Sequence, residues 1–189
     1  RIFGFNNVPI PEKLNSSIGT FSKPDTEKVQ QVLSEMLVGK GFSEIMNNSL
    51  TTSSYLEKLG GDVLSSDQAV PILNPLSQEL DIMRRTLLFN LLEVVELNQN
   101  RQNPDLKIFE FGKVYHNYAS GYAENRRLII ALTGRKQAES WNKPNESVSY
   151  YDLKGIVNSI AKRLGLDSFL KESPLKKTLF EDGVQLQVL

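Results

Sequence analysis

The chain contains no cysteine, so disulfides, thiolate nucleophiles and cysteine-based zinc centres are all excluded. It has a single histidine, His116, which alone builds no multi-histidine metal site. No apolar run approaches the ~20 residues needed to cross a bilayer, and no signal-peptide pattern opens the chain. Nor is there a charge excess. Lys and Arg total 22 and Asp and Glu total 22, which removes the electrostatic argument for independent nucleic-acid binding. The phosphate-cradling patterns G-x-x-x-x-G-K-[ST] and G-x-G-x-x-G are missing, as is the G-x-S-x-G elbow of serine hydrolases. What remains is ordinary globular composition over 189 residues, 40% hydrophobic and 23% charged. The expectation is a cytoplasmic domain with no complete catalytic centre of its own, working inside a larger assembly. The chain opens at Arg1 without an initiator methionine and stops at Leu189 inside an alternating run (Val184, Leu186, Val188), so we expect a piece of a longer protein.

Residues 1–24, with Pro9, Pro11, Pro24, Gly4 and Gly19, read as an irregular lead-in. A helix follows, capped by Asp25 or Thr26 and closed by Gly39 and Gly41. Its Val29, Val32, Leu33, Met36 and Leu37 share one face at helical spacing. Periodicity leaves two readings of that face open: the core, or a partner helix. Residues 42–53 read as a polar strand, Ser54–Leu59 as a short helix ended by Gly60-Gly61, and Ala69–Leu73 as a strand ended by Asn74-Pro75. A second long helix is expected over Thr86–Asn100, with Leu88, Leu91, Leu92 and Val95 facing inward.

The centre reads as sheet. Leu106–Tyr118 and Arg127–Gly134 are β-rich runs joined by a polar, glycine-containing stretch too short for a parallel crossover, so they should pair antiparallel. Leu128–Leu132 is apolar on both faces, which suggests a central strand. The most regular helix keeps Leu153, Ile156, Val157, Ile160, Ala161 and Leu164 at 3–4 spacing, with Asp152 as cap and Gly165 as stop. Short strands complete the chain, and the fold class is α+β.

Candidate chemistry is sparse. His116 at a strand end could serve as a general base, but it reads more simply as a strand-end polar side chain. Glu79 and Asp81 are the closest suggestive carboxylate pair, and they read as serving the start of the Thr86–Asn100 helix.

The residues nevertheless carry a resemblance. Asn74-Pro75-Leu76-Ser77-Gln78-Glu79, then Met83-Arg84-Arg85-Thr86-Leu87-Leu88, then Asn98 and Arg101, then Phe109-Glu110-Phe111-Gly112-Lys113-Val114-Tyr115 resemble the β subunit of bacterial phenylalanyl-tRNA synthetases. Arg1 to Pro9 is similar to the segment that links the preceding domain to that subunit's core, and Asp152-Leu153-Lys154-Gly155 after Trp141 is similar to a later landmark. The resemblance implies a linker over 1–24, then a class II synthetase-like, non-catalytic core over 25–189 that is truncated at its C-terminus: an antiparallel sheet flanked by helices. The Val29–Leu37 helix would correspond to motif 1, which builds subunit interfaces. Gly112–Tyr118 would correspond to motif 2, whose G-x-V-[FY]-R-x-[DE] strand holds the ATP α-phosphate on its arginine. Here His116 stands at the arginine and Tyr118 at the acid, and a neutral imidazole does not reproduce a bidentate guanidinium clamp.

The family further implies the α subunit and a second β chain as partners in a heterotetramer, with tRNA(Phe) reached through the full complex. ATP and magnesium belong to the whole enzyme, and no cofactor or metal is expected in this fragment. Hydrolytic editing is expected upstream, anticodon contact in a C-terminal domain, and magnesium-holding acids just before Arg1. The rival readings are an active class II ligase or ATP-binding domain, and a stand-alone RNA-binding module.

Overall fold

A computed structural model describes residues 7, 25–59, 64–75, 77, 79–142, 144–174 and 184–188. The irregular lead-in over 1–24, Asn7 apart, and the Gly60-Gly61 stop lie outside the described residues. Helix α1 spans Thr26–Gly39. Asp25 caps it, its carboxylate accepting from the Glu27 and Lys28 amides at 3.0 and 3.3 Å. The chain turns out of the helix at Gly41, whose φ of +85° suits glycine, and the Phe42 amide closes on the Leu37 carbonyl.

The polar strand expected over 42–53 divides in two. Ser43–Glu44 (β1) and Leu50–Thr51 (β2) are strands, while 45–49 crosses from one sheet to another. Asn47 and Asn48 sit in that stretch because the crossing backbone leaves the ladder. Asn48 accepts from the Leu50 amide, and Asn47 donates to Glu110. Helix α2, Ser54–Leu59, lies where the sequence puts it. Val70–Pro71 (β3) and Ile82–Met83 (β4) join β2 in a small antiparallel sheet of order β2-β4-β3. Its apolar side closes on Leu56, Ile82 and Phe89.

Helix α3, Leu88–Asn100, starts two residues later than expected, with Thr86 Oγ1 accepting from the Leu88 amide. Phe89 and Leu91 are buried, but Leu92 is exposed. The inward face of α3 is therefore turned from the expected one, because Phe89 reaches the small sheet while Leu91 reaches the large one.

The large sheet is built on a hairpin of Lys107–Tyr118 (β5) and Gly121–Leu132 (β6), antiparallel from Lys107↔Leu132 to Tyr118↔Gly121. The pairing is as expected, but the connection is only Ala119-Ser120. The polar run 121–126 is strand because its ladder is satisfied and its side chains reach solvent or pair across it, as Lys113 does with Glu124 at 2.7 Å. Strand β1 pairs parallel with β5 on the other side, so β5 is the central strand and β6 has one neighbour among the described residues. The apolar run Leu128–Leu132 reflects helices on both faces rather than a central position. Leu128, Ile130 and Leu132 pack towards Leu37, Phe42 and Phe109, while Ile129 and Ala131 pack towards Leu91, Leu106 and Ile108.

Helix α4, Tyr150–Arg163, covers the first of those faces through Ile156 and Ile160. Its cap is Ser149, not Asp152. The Ser149 amide donates to Asp152 Oδ2 at 2.7 Å while the Ser149 side chain accepts from the Asp152 amide, which is the reciprocal arrangement of a capping box, and the Ser149 hydroxyl also reaches Asp152 Oδ2 at 2.6 Å. Gly165 ends it at a φ of +70°. Leu170–Pro174 (β7) and Val184–Val188 (β8) pair antiparallel. No helix among the described residues is long and apolar enough to cross a membrane.

Candidate functional site

Side chains alternate along β5, so Glu110, Gly112, Val114, His116 and Tyr118 share one face. The segment after β4, Arg84-Arg85-Thr86-Leu87, brings the Arg84 and Leu87 side chains over Gly112 on that face, and the Tyr115 amide ties it to β5 by donating to the Arg84 carbonyl at 3.0 Å. Two adjacent arginines are thereby carried into the interior, Arg84 with 3% and Arg85 with 7% of its surface exposed.

Arg84 is fully engaged. Its Nη1 donates to Glu110 Oε1 at 2.7 Å and to the Asn48 carbonyl at 3.2 Å, and its Nε donates to the Lys113 carbonyl at 2.9 Å. The second Glu110 oxygen accepts from Asn47 Nδ2 at 2.8 Å. Gly112 makes room for this: a Cβ there would stand 2.3 Å from Arg84 Nη2 and 2.6 Å from Leu87 Cδ2.

Arg85 is placed differently. Nη1 donates to the Ser65 carbonyl and Nη2 to Gln68 Oε1, both neutral acceptors, and its buried Nε has no partner. No carboxylate pairs with it among the described residues. Burial accordingly holds its pKa below the ordinary guanidinium value. It lines a cleft of about 280 Å³ with Leu87, Val114, His116, Arg127 and Ile129. His116 and Tyr118 are brought together there, their rings stacked at 5.5 Å and 2°. Burial, then the charges of Arg85 and Arg127, lower the His116 pKa below its usual 6.5 and favour the neutral imidazole, whose buried Nδ1 has no partner.

The other sequence-derived candidates land elsewhere. Asp81 accepts from the Ser53 amide at 2.8 Å and the Ser53 hydroxyl at 2.6 Å, so it secures the start of α2 rather than of α3, and Glu79 is exposed. On α1, Leu33 and Leu37 are buried inside this chain, at 5% and 0% exposure, and are unavailable to a partner. Met36 packs on the same cluster, Val32 is half-buried, and Val29 sits at the exposed rim. Sequence reading assigned no site role to Glu110, Arg85 or Arg127. Its available signal was the charged pair Arg84-Arg85 directly after a short apolar strand. No group of three or more metal-ligating side chains occurs among the described residues.

This architecture, a hairpin-centred sheet between helices with a polar segment laid across one face, matches solved structures of pyrrolysyl-tRNA synthetase from Desulfitobacterium hafniense. One superposes with a TM-score of 0.58 at 16% identity, covering 88% of this chain and 55% of that one; another gives 0.56 over 85% and 54%. The fold is α+β and is shared with those aminoacyl-tRNA synthetase structures. Residues 10–189 match the family model described as the phenylalanyl tRNA synthetase beta chain CLM domain. Curated relatives agree. The phenylalanine–tRNA ligase beta subunit of Bacteroides thetaiotaomicron is 48% identical over 177 residues, and that of Porphyromonas gingivalis 40% over 178. The chain belongs to the phenylalanyl-tRNA synthetase beta chain family. It covers 21% and 22% of those two relatives' own lengths.

Proposed function

We propose that this chain is the non-catalytic, class II-like core of a phenylalanine–tRNA ligase β subunit, and that it scaffolds the α subunit. In this reading α activates phenylalanine with ATP and magnesium and charges tRNA(Phe), in a cytoplasmic heterotetramer with a second β chain. The observation that carries the reading is His116. By the resemblance it stands at the motif 2 arginine position and Tyr118 at the motif 2 acid; the His116 imidazole is biased to the neutral form and stacks on Tyr118. A neutral ring offers one donor in place of the fixed, charged fork that grips an α-phosphate.

The test is phenylalanine-dependent pyrophosphate exchange by full-length β, by α, and by the two together. Exchange is expected only when both are present. Exchange by β alone would overturn the non-catalytic assignment, and full activity of α without β would overturn the scaffolding role.

A further inference from the structure

We propose that the cleft between Arg85, His116 and Arg127 is a receptor for a single oxyanion, a phosphate or carboxylate group, which supplies a counter-charge that no carboxylate among the described residues gives Arg85. The inference stands apart from the scaffolding role and survives its failure. It starts from an imbalance. A guanidinium with 7% of its surface exposed is normally matched by a carboxylate, because a buried ion without a counter-ion carries a large desolvation cost. Arg84, one residue earlier, has that match in Glu110. Arg85 has two neutral acceptors and an idle Nε.

The nearby groups do not repair the deficit. Tyr118 is close enough to act on Arg85 electrostatically, but it brings no carboxylate. Glu110 is held by Arg84 and Asn47, and Glu124 by Lys113. Around the same cleft the charge is positive: Arg127, exposed at the rim, makes no ion pair among the described residues, and both guanidiniums act on His116. Two cations converging on a concave space of about 280 Å³, with an unpartnered imidazole nitrogen beside it, make a setting in which one anion gains charge-assisted hydrogen bonds. Apart from Thr86 the remaining walls, Leu87, Val114, Leu128 and Ile129, are apolar, which suits a short aliphatic stem behind the charged head.

The probe is inorganic phosphate, titrated into full-length β at constant ionic strength and followed by phosphorus NMR. Saturable binding at one site per chain is expected in the wild type. Arg127→Gln, an exposed change that leaves the fold intact by circular dichroism, is expected to weaken it about tenfold or more. Arg85→Met should do the same; if that variant does not fold, Arg127→Gln carries the test. Absence of saturable binding, or binding unchanged by Arg127→Gln, would overturn the proposal. Repeating the titration on the assembled complex identifies the source of the anion. Retained binding means a diffusible anion, and binding lost on assembly means that an acidic side chain of a neighbouring subunit fills the cleft. Both outcomes uphold the site.

Discussion

Arg84 and Arg85 are consecutive, nearly equally hidden, and solve the same electrostatic problem in different ways. On the Arg84 side the charge is closed within the chain: Glu110 supplies the carboxylate, Asn47 and two backbone carbonyls fill the remaining valences, and Gly112 leaves the space. On the Arg85 side the hydrogen bonds are to neutral oxygens, and among the described residues no carboxylate closes the charge, which faces a cleft. The lesson is that burial and hydrogen bonding are separate from neutralisation. A buried cation can have acceptors and still lack its counter-ion, and that residue is the place to look for a ligand.

The largest expected contrast comes from removing the two arginines singly. Arg84→Met strands Glu110 as a buried, unpaired carboxylate and should cost about 3–5 kcal/mol. Urea denaturation of this chain, followed by circular dichroism, measures it, and a loss near zero would dissolve the distinction between the two sides. Arg85→Met forfeits the bonds to the Ser65 carbonyl and Gln68 Oε1 but also removes a charge with no carboxylate partner among the described residues. The two effects offset, so the same measurement without added anion should give a change within about 1 kcal/mol of zero. A loss as large as that of Arg84→Met would mean that Arg85 is neutralised after all.

The smallest effect concerns pH. Burial, then the charges of Arg85 and Arg127, lowers the folded-state pKa of His116, and Tyr118 stacks on its ring. The unfolded chain takes up a proton near the ordinary value of 6.5 while the folded chain still resists it, so stability falls as pH drops below about 6.5. His116→Asn removes this part of the acid limb. Its stability should fall less steeply than wild type between pH 7 and 5, and identical slopes would show that the imidazole is not held neutral.

Much of the frame was legible because local signals agreed. The Asp25 cap, the Gly41 and Gly165 turns and the apolar spacing of α1 and α4 marked the helices, and a short connection decided that the β5–β6 pair is antiparallel. Misreadings arose where one residue serves two layers. Leu128–Leu132 is apolar on both sides because helices flank it, not because strands do. Leu92 lost its inward position when Phe89 reached across to the small sheet. The α1 stripe could not be assigned to core or interface by periodicity, and burial of Leu33 and Leu37 settles those two for the core. His116 and Tyr118 were visible through a family pattern. Arg85 and Arg127 were not, because their significance lies in the absence of a carboxylate partner for each among the described residues, which only the packing of the segment after β4 beside β5 reveals.

Gly112 carries a consequence for how this sequence can drift. Any side chain at 112 collides with Arg84, and any loss of Arg84 abandons Glu110. The three positions are locked in a cycle with no neutral first step, so related chains should hold all three together or replace them as a set.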